Sequence, residues 1–166
     1  KAGFLFDPPW LMRVVKEKTE EIFKSHNGIV YDGSPRTLPE AEFLYRLLSE
    51  IIGTGNISVI EVDVKDEELK KRLAKRLICS KSSNHVFIRS EKLKSGDPCP
   101  EGDGILSERD LDKPELFDTR ISEYKNRTLP GLEFLKKTHS VITINGEQSF
   151  EEVQNDILEA VRNCII

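Results

Sequence analysis

Residues 57–64 constrain the fold most, because five of these eight residues are β-branched and apolar. A short and nearly continuous run of this kind is typical of a strand buried on both faces of a parallel sheet. The charged segment that follows, at 66–77, carries Leu69, Leu73 and Leu77 at helical spacing. A buried strand followed by an amphipathic helix predicts an α/β fold with a parallel sheet.

The rest of the chain repeats this alternation of helices and strands. Apolar residues recur at helical spacing in five further segments, and two further short runs are typical of strands. Residues 78–110 instead contain short mixed runs and turns rich in glycine and proline, which predict an irregular inserted lobe. The further helices are predicted at 8–24, 37–52, 114–126, 130–137 and 150–163, and the further strands at 29–31 and 141–144.

Composition narrows the functional classes. The formal net charge of −4 argues against general binding of nucleic acid, which relies on neutralising phosphates. No apolar run approaches the roughly 20 residues of a membrane helix, and the first residues do not resemble a signal peptide, so we expect no membrane association. Cys79, Cys99 and Cys164 are too few for a disulfide framework, which predicts a reducing, cytoplasmic setting.

The strongest chemical signal is the run D-G-S-P-R-T at residues 32–37. It is predicted at the carboxyl end of a strand, where open α/β sheets bind ligands. Asp32 can hold the water shell of Mg²⁺, Gly33 lets the backbone approach a ligand, and Arg36 can bind a phosphate bidentately. The alternative is an ordinary strand–turn–helix connection with solvated side chains, and spacing alone leaves both open.

With Pro39, Glu40 and Ala41, this run resembles the adenylate kinase motif D-G-F-P-R-T-x-x-Q-A. The resemblance extends in order over nearly the whole chain. Residues 3–6, G-F-L-F, resemble a segment whose backbone contacts the acceptor base, and residues 79–105 resemble a long lid of the zinc type. Arg72 and Arg76 resemble two arginines around the donor nucleotide, and Arg109, Asp112 and Arg120 resemble the motif R-x-x-D and the arginine that follows it. Thr128 and Pro130 resemble the motif T-x-P, and Asn145 and Gly146 resemble the motif D-G.

The resemblance implies a P-loop-kinase-like parallel sheet flanked by helices, with an inserted lid. It divides the chain into a core at 1–76 with part of the monophosphate-binding region, a lid at 77–112 and a C-terminal core at 113–166. The implied reaction is reversible phosphoryl transfer from ATP to AMP, with Mg²⁺ bound to ATP, in a protein that we expect to be a monomer when complete. Converging arginines suit this chemistry, because positioning and charge neutralisation supply most of the catalysis.

Each site residue takes its expected role from the same resemblance. Arg36 would hold the acceptor phosphate, Asp32 would orient Mg²⁺-bound water, and lid closure would exclude bulk water. The implied catalytic residues are Asp32, Arg76, Arg109, Asp112 and Arg120, the AMP-binding residues are Gly3, Leu5, Phe6, Gly33, Arg36, Glu40, Arg109 and Arg120, and the ATP-binding residues are Arg72, Arg76 and Gln148.

The chain departs from the family pattern most in lacking the phosphate loop G-x-x-x-x-G-K-[ST] within its 166 residues. Without the central strand that leads into this loop, we expect a gap or an abnormal pairing between the strand ending at Asp32 and the strand at 57–64. We also expect residues 1–166 alone to be at best marginally folded and inactive. Two smaller departures are Ser34 in place of Phe and Leu111 in place of the first Asp of R-x-D-D.

Two classes of function remain. One is a nucleoside monophosphate kinase, and the other is a non-catalytic relative that binds nucleotides or acts as a scaffold. The retention of Asp32 together with Arg36, Arg76, Arg109 and Arg120 favours the enzyme. A glycine-rich loop in the coding sequence upstream of Lys1 would decide for the enzyme.

The lid resembles a zinc lid that has lost ligands. A structural zinc site takes four N or S ligands in two short-spaced pairs, and Cys79 and Cys99 occupy the first position of each pair. Ser82 and Gly102 occupy the second positions and cannot replace thiolates. His85, Glu101 and Asp103 are near enough in sequence to substitute. We therefore expect the lid to bind zinc weakly or not at all, and ordinary cysteines are the alternative.

Glu40 stands where the family has a Gln that contacts adenine. A carboxylate only accepts hydrogen bonds, so it suits the N–H and NH₂ edge of guanine better than adenine. One interpretation is that AMP remains the acceptor but discrimination against GMP is weaker. The other is that Glu40 only completes a capping box with Thr37. The first interpretation predicts that Glu40→Gln raises the AMP/GMP turnover ratio in a catalytically complete protein, and an unchanged ratio would contradict it.

Overall fold

The computed structural model of the chain describes residues 8–164. Within them it forms two compact units, one from residues 64–121 and the other from residues 8–63 and 122–164. The predicted site residues Gly3, Leu5 and Phe6 lie outside the described residues. The described part contains no helix that is long and apolar enough to span a membrane.

The unit formed by 8–63 and 122–164 contains a pair of parallel strands and four α-helices among its described residues. Strand β1 pairs with β5 from Val59 opposite Val141 to Asp63 opposite Asn145, which confirms the predicted parallel α/β arrangement. Helices α2 and α5 pack together, and Leu44 of α2 and Leu135 of α5 are buried. The elements are α1 (Pro8–Ile22), α2 (Leu38–Ile52), β1 (Val59–Asp63), α5 (Leu129–Thr138), β5 (Val141–Asn145) and α6 (Phe150–Cys164), with a π-helical turn at Tyr124–Thr128 before α5.

The predicted strand at residues 29–31 is wrong. These residues have no regular secondary structure, and Val30 is 90% exposed. A strand needs a neighbour to hydrogen-bond its backbone, and in the described sheet β1 pairs with β5 alone. Asp32 therefore lies in a bend rather than at the end of a strand.

The unit formed by 64–121 contains a small antiparallel sheet, so the interpretation of residues 78–110 as irregular was wrong. Strand β2 lies between β3 and β4, and Leu77 and Leu106 are fully buried in the core of this sheet. Helix α3 was also predicted two residues too long, because Arg76 and Leu77 already belong to β2. The elements are α3 (Asp66–Lys75), β2 (Arg76–Cys79), β3 (Ser82–Ile88), β4 (Leu106–Ser107) and α4 (Pro114–Glu123).

The start of β2 follows from pairing rather than from local helical spacing. Leu77 lies opposite Phe87 and Ile78 lies opposite Val86, and β-branched and aromatic residues stabilise such cross-strand pairs. Leu77 and Cys79 alternate with more exposed neighbours along β2. Extending α3 would have removed Leu77 from this core, so the tertiary contact decides the conformation.

The contact between α2 and α5 predicts an unusual cost for adding one methyl group at Gly131. A Cβ at Gly131 would lie 3.0 Å from the carbonyl oxygen of Thr37 and 3.3 Å from Cβ of Ala41. Gly→Ala in an open helix stabilises by about 0.5–1 kcal/mol, but here we expect Gly131→Ala to destabilise by about 1–3 kcal/mol through overpacking. Urea unfolding measures the change.

Gly55→Ala is the matched control. A Cβ at Gly55 meets nothing within 4 Å, so its effect should stay within about 0.5 kcal/mol. Equal free energies of unfolding for the two variants would show that α5 does not press against the start of α2.

Candidate functional site

The turn before α2 is built around the side chain of Arg36. Gly33 has a φ of 70°, which glycine adopts without strain. A Cβ at Gly33 would lie 2.6 Å from Nη2 of Arg36, so glycine also leaves room for the guanidinium. Nε of Arg36 donates a hydrogen bond to the carbonyl oxygen of Gly33 at 2.5 Å. The side chain is exposed, and a guanidinium has five N–H donors, so this one bond orients Arg36 while others can bind an anion.

A buried carboxylate fixes the backbone of the same turn. Glu40 is only 4% exposed. Its Oε2 accepts from the backbone N–H of Arg36 at 2.8 Å, and its Oε1 accepts from the hydroxyl of Thr37 at 3.0 Å. The backbone N–H of Glu40 donates back to Oγ1 of Thr37 at 3.4 Å. The Thr37 half of the predicted capping box is thus confirmed. The Glu40 carboxylate completes it differently, by accepting from the backbone N–H of Arg36, and the base-choice interpretation of Glu40 stays a prediction.

The other side of the turn is held from the start of α5. Oγ1 of Thr128 donates to the carbonyl oxygen of Arg36 at 2.8 Å. The backbone N–H and C=O of Arg36 therefore both have partners, one from α2 and one from the π-helical turn. Ser34 and Glu40 also line a small pocket beside the turn. Its remaining lining residues are the apolar Leu11, Met12, Val15, Phe43 and Leu44.

A second arginine arrangement lies in the unit formed by 64–121. The side chain of Asp112 is 4% exposed and accepts two hydrogen bonds from Arg76, at 2.6 Å from Nε and 2.5 Å from Nη2. Nη1 of Arg120 approaches the same carboxylate to 3.0 Å and also donates to the carbonyl oxygen of Leu111. Two guanidinium groups share one carboxylate, so the cluster carries one net positive charge. Such a group can attract a phosphate while its geometry stays fixed.

The structure brings some of the predicted site residues together within one unit. Arg76, Asp112 and Arg120 form one cluster, whereas Arg36 and Glu40 form the turn in the other unit. Arg109 is exposed immediately before a 3₁₀ turn at Asp110–Asp112. Arg72 pairs with Glu68 along α3, and Asp32 is exposed beside Gly33. Gln148 donates to the carbonyl oxygen of Asn145 and to Asp156.

Three potential metal ligands meet in the unit formed by 64–121. The donor atoms of Cys79, His85 and Cys99 all lie within 4.8 Å of one another, and Nδ1 of His85 is 3.5 Å from Sγ of Cys99. Hydrogen bonding from the backbone N–H of Lys81 lowers the pKa of the Cys79 thiol to about 7. Burial raises the pKa of the Cys99 thiol. Sequence spacing left His85, Glu101 and Asp103 as alternatives, and the structure brings His85 to the cysteines.

Two contacts that shape the site could not be predicted from the sequence. Thr128 was matched only as part of T-x-P, and its bond to Arg36 spans 92 positions. Gly104 was also overlooked, although a Cβ there would lie 2.2 Å from Sγ of Cys79. Both contacts join distant segments, so only the folded chain reveals them.

The parallel strands and flanking helices define an α/β protein, and the comparisons with known proteins identify its family. No family model matches the chain. It is 31% identical over 161 residues to "Adenylate kinase" of Petrotoga mobilis, covering 97% of the chain and 73% of the relative. It is 38% identical over 162 residues to "Adenylate kinase" of Methanocella arvoryzae, covering 96% and 73%. The chain belongs to the adenylate kinase family.

The shared carboxylate predicts a destabilising effect for Asp112→Asn. Asn keeps the shape but loses the charge that faces Arg76 and Arg120, and hydrogen bonds to charged groups contribute about 1.5–3 kcal/mol. Since both arginines are partly exposed, we expect the free energy of unfolding to fall by about 1–3 kcal/mol. Denaturant titration measures this change.

Asp110→Asn provides the control two positions away. The Asp110 side chain is 87% exposed and pairs with Lys113 at 2.9 Å, and exposed pairs contribute about 0–1 kcal/mol. Similar losses in both variants would contradict the structural role that we assign to Asp112.

Proposed function

We propose that this protein is a nucleoside monophosphate kinase that transfers a phosphoryl group reversibly from ATP, bound with Mg²⁺, to AMP. The observation that carries the proposal is the Arg36 turn, in which the guanidinium is oriented by Gly33 and the backbone is held by Glu40 and Thr128. An exposed and oriented guanidinium suits the terminal phosphate of a monophosphate, because it binds two oxygens at once. Membership of the adenylate kinase family supports the same reaction.

The other arginines complete the proposed chemistry. Phosphoryl transfer needs little covalent participation by the protein, so catalysis depends on positioning and on neutralising negative charge. Arg76 and Arg120, held by Asp112, would neutralise the donor and transferring phosphates together with Arg109. Asp32 would orient water bound to Mg²⁺. Arg72 and Gln148 would contact ATP, and Gly3, Leu5, Phe6, Gly33 and Glu40 would contribute to AMP binding.

Two further parts of the proposal concern the lid and the catalytic competence of the chain. We assign residues 77–112 as the lid and expect its closure to exclude water from the reaction.

Residues 1–166 contain no sequence of the form G-x-x-x-x-G-K-[ST], whose backbone amides and Lys bind the donor phosphates. We therefore propose that residues 1–166 alone do not turn over ATP and AMP. A cytoplasmic monomer is the setting we propose for the complete enzyme.

A fusion experiment tests this function. Residues 1–166 alone should convert no ATP and AMP to ADP, and fusing a relative's phosphate-loop segment to them should give turnover. In the active fusion, Arg36→Lys should lower kcat/KM for AMP by about 10- to 100-fold, because an ammonium group cannot replace the bidentate guanidinium. A coupled assay of ADP formation measures both effects.

The control is Arg46→Lys, at an exposed position of α2, and it should leave kcat/KM within about twofold. The outcomes that contradict the proposal are an inactive but folded fusion and an Arg36→Lys variant as active as the Arg46→Lys control. Turnover by residues 1–166 alone would contradict only the requirement for the phosphate loop.

A further inference from the structure

We propose that Asn27 is a site of spontaneous modification, at which the side-chain amide is converted to an aspartyl or an isoaspartyl residue. The inference is independent of phosphoryl transfer, because the reaction needs only this chain and water. The sequence contains the pair Asn-Gly twice, at 27–28 and at 145–146. The two pairs carry the same reacting groups, so the folded structure decides which of them reacts.

The reaction begins at the backbone nitrogen of the glycine. This nitrogen gives up its proton and attacks Cγ of the asparagine, which forms a cyclic succinimide. The side-chain nitrogen leaves as ammonia and takes up the proton that the backbone lost. Water then opens the ring at either carbonyl, which gives an aspartyl or an isoaspartyl residue. Glycine favours the attack because it has no Cβ beside the approaching nitrogen.

The pair at 27–28 lies in a loop that is anchored at both ends but not at the reacting groups. The backbone N–H of His26 donates to the last residue of α1 at 2.9 Å, and the hydroxyl of Tyr31 is 2.6 Å from Oγ1 of Thr19. Asn27 and Gly28 are both exposed. Within residues 8–164, neither the Asn27 side chain nor the Gly28 N–H has a hydrogen-bond partner. Ring closure at Asn27 therefore breaks no hydrogen bond within the described part of the chain.

The pair at 145–146 is held by the sheet. Asn145 is the last residue of β5 and lies opposite Asp63 of β1. Gly146 is buried, and its N–H donates to the carbonyl oxygen of Asp63 at 2.7 Å. Oδ1 of Asn145 accepts from the backbone N–H of Glu147 at 3.0 Å. The attacking nitrogen and the carboxamide are thus held by separate hydrogen bonds, and both must break before the ring can close.

These two hydrogen bonds set the expected difference in rate. At the usual contribution of a hydrogen bond to stability, breaking two of them slows ring closure by about 5- to 150-fold. We therefore expect Asn27 to be modified before Asn145 in the folded chain. The new carboxylate adds one negative charge to a chain whose formal net charge is −4. The isoaspartyl product also lengthens the backbone by one carbon, between the anchors at His26 and Tyr31.

Peptide mapping by mass spectrometry tests the proposal on the full chain, incubated in mildly alkaline buffer and checked for folding by circular dichroism. Time courses follow the loss of amide at Asn27 and Asn145 in native buffer and in concentrated urea. In native buffer Asn27 should react about 5- to 150-fold faster than Asn145. In urea, which unfolds the chain, the two rates should agree within about twofold. Both aspartyl and isoaspartyl products should form at position 27.

Gly28→Ala makes the test specific. A Cβ at Gly28 meets nothing within 4 Å, so the folded chain has room for the methyl group, but the methyl group hinders the attack of the nitrogen. Most of the reaction at Asn27 should therefore be lost, with the rate at Asn145 unchanged. Gly55→Ala is the matched control, because a Cβ at Gly55 also meets nothing within 4 Å, and it should leave both rates unchanged.

Four results would overturn the proposal. The first is equal rates at Asn27 and Asn145 in native buffer, and the second is a preference for Asn27 that persists undiminished in urea. The third is a Gly28→Ala variant that reacts at position 27 like the Gly55→Ala control. The fourth is an aspartyl product alone at position 27, because direct hydrolysis of the side chain forms no isoaspartyl residue.

Discussion

The buried carboxylate of Glu40 is the interaction on which the proposed acceptor site depends. One oxygen receives the backbone N–H of Arg36 and the other receives the hydroxyl of Thr37, so a single side chain fixes the turn and the start of α2. A buried carboxylate is expensive unless its hydrogen bonds are satisfied. The cost is offset here because both carboxylate oxygens accept hydrogen bonds, one from the backbone N–H of Arg36 and one from the hydroxyl of Thr37. Arg36 is exposed but oriented as a consequence.

In the unit formed by 64–121, a buried carboxylate also holds arginine in place, but with a different geometry. Asp112 is nearly inaccessible and receives Arg76 bidentately and Arg120 through one contact. Because the carboxylate already restricts both guanidinium groups, neither would need to be ordered anew on binding the phosphate that we propose. In both units, therefore, an acidic side chain holds the arginines that the proposed chemistry uses, and the acidic net charge of the chain is compatible with local positive sites.

Local patterns predicted the elements whose stability is local. The apolar stripe and Thr37–Glu40 spacing predicted α2 and its cap, and the β-branched run predicted β1. The predicted strand at 29–31 was wrong because a strand exists only with a hydrogen-bonded neighbour, which local propensity does not supply. Leu77 was predicted at the end of a helix but lies in β2, because it pairs with Phe87 in β3.

For the candidate site, too, features of local sequence could be predicted and contacts between distant segments could not. The run at 32–37 and the later arginines could be recognised from the sequence, because their chemistry is carried by residue types at short spacing. Glu40 and Asp112 were among the residues recognised, but the contacts made by distant segments could not be predicted. Thr128 reaches Arg36, and His85 reaches Cys99, only after distant segments have folded together. For the same reason, His85, Glu101 and Asp103 could not be ranked as metal ligands by spacing alone.

The central claim is that the turn at residues 33–40 recognises the phosphate of a nucleoside monophosphate. Two-dimensional ¹H–¹⁵N NMR of the labelled chain, titrated in parallel with AMP and with adenosine, tests it directly. Recognition of the phosphate predicts that AMP shifts the amide signals of Gly33 and Arg36 and the Nε–H signal of Arg36, and that adenosine at the same concentration leaves them in place. Equal shifts with both ligands, or AMP-dependent shifts that avoid residues 33–40, would contradict the account.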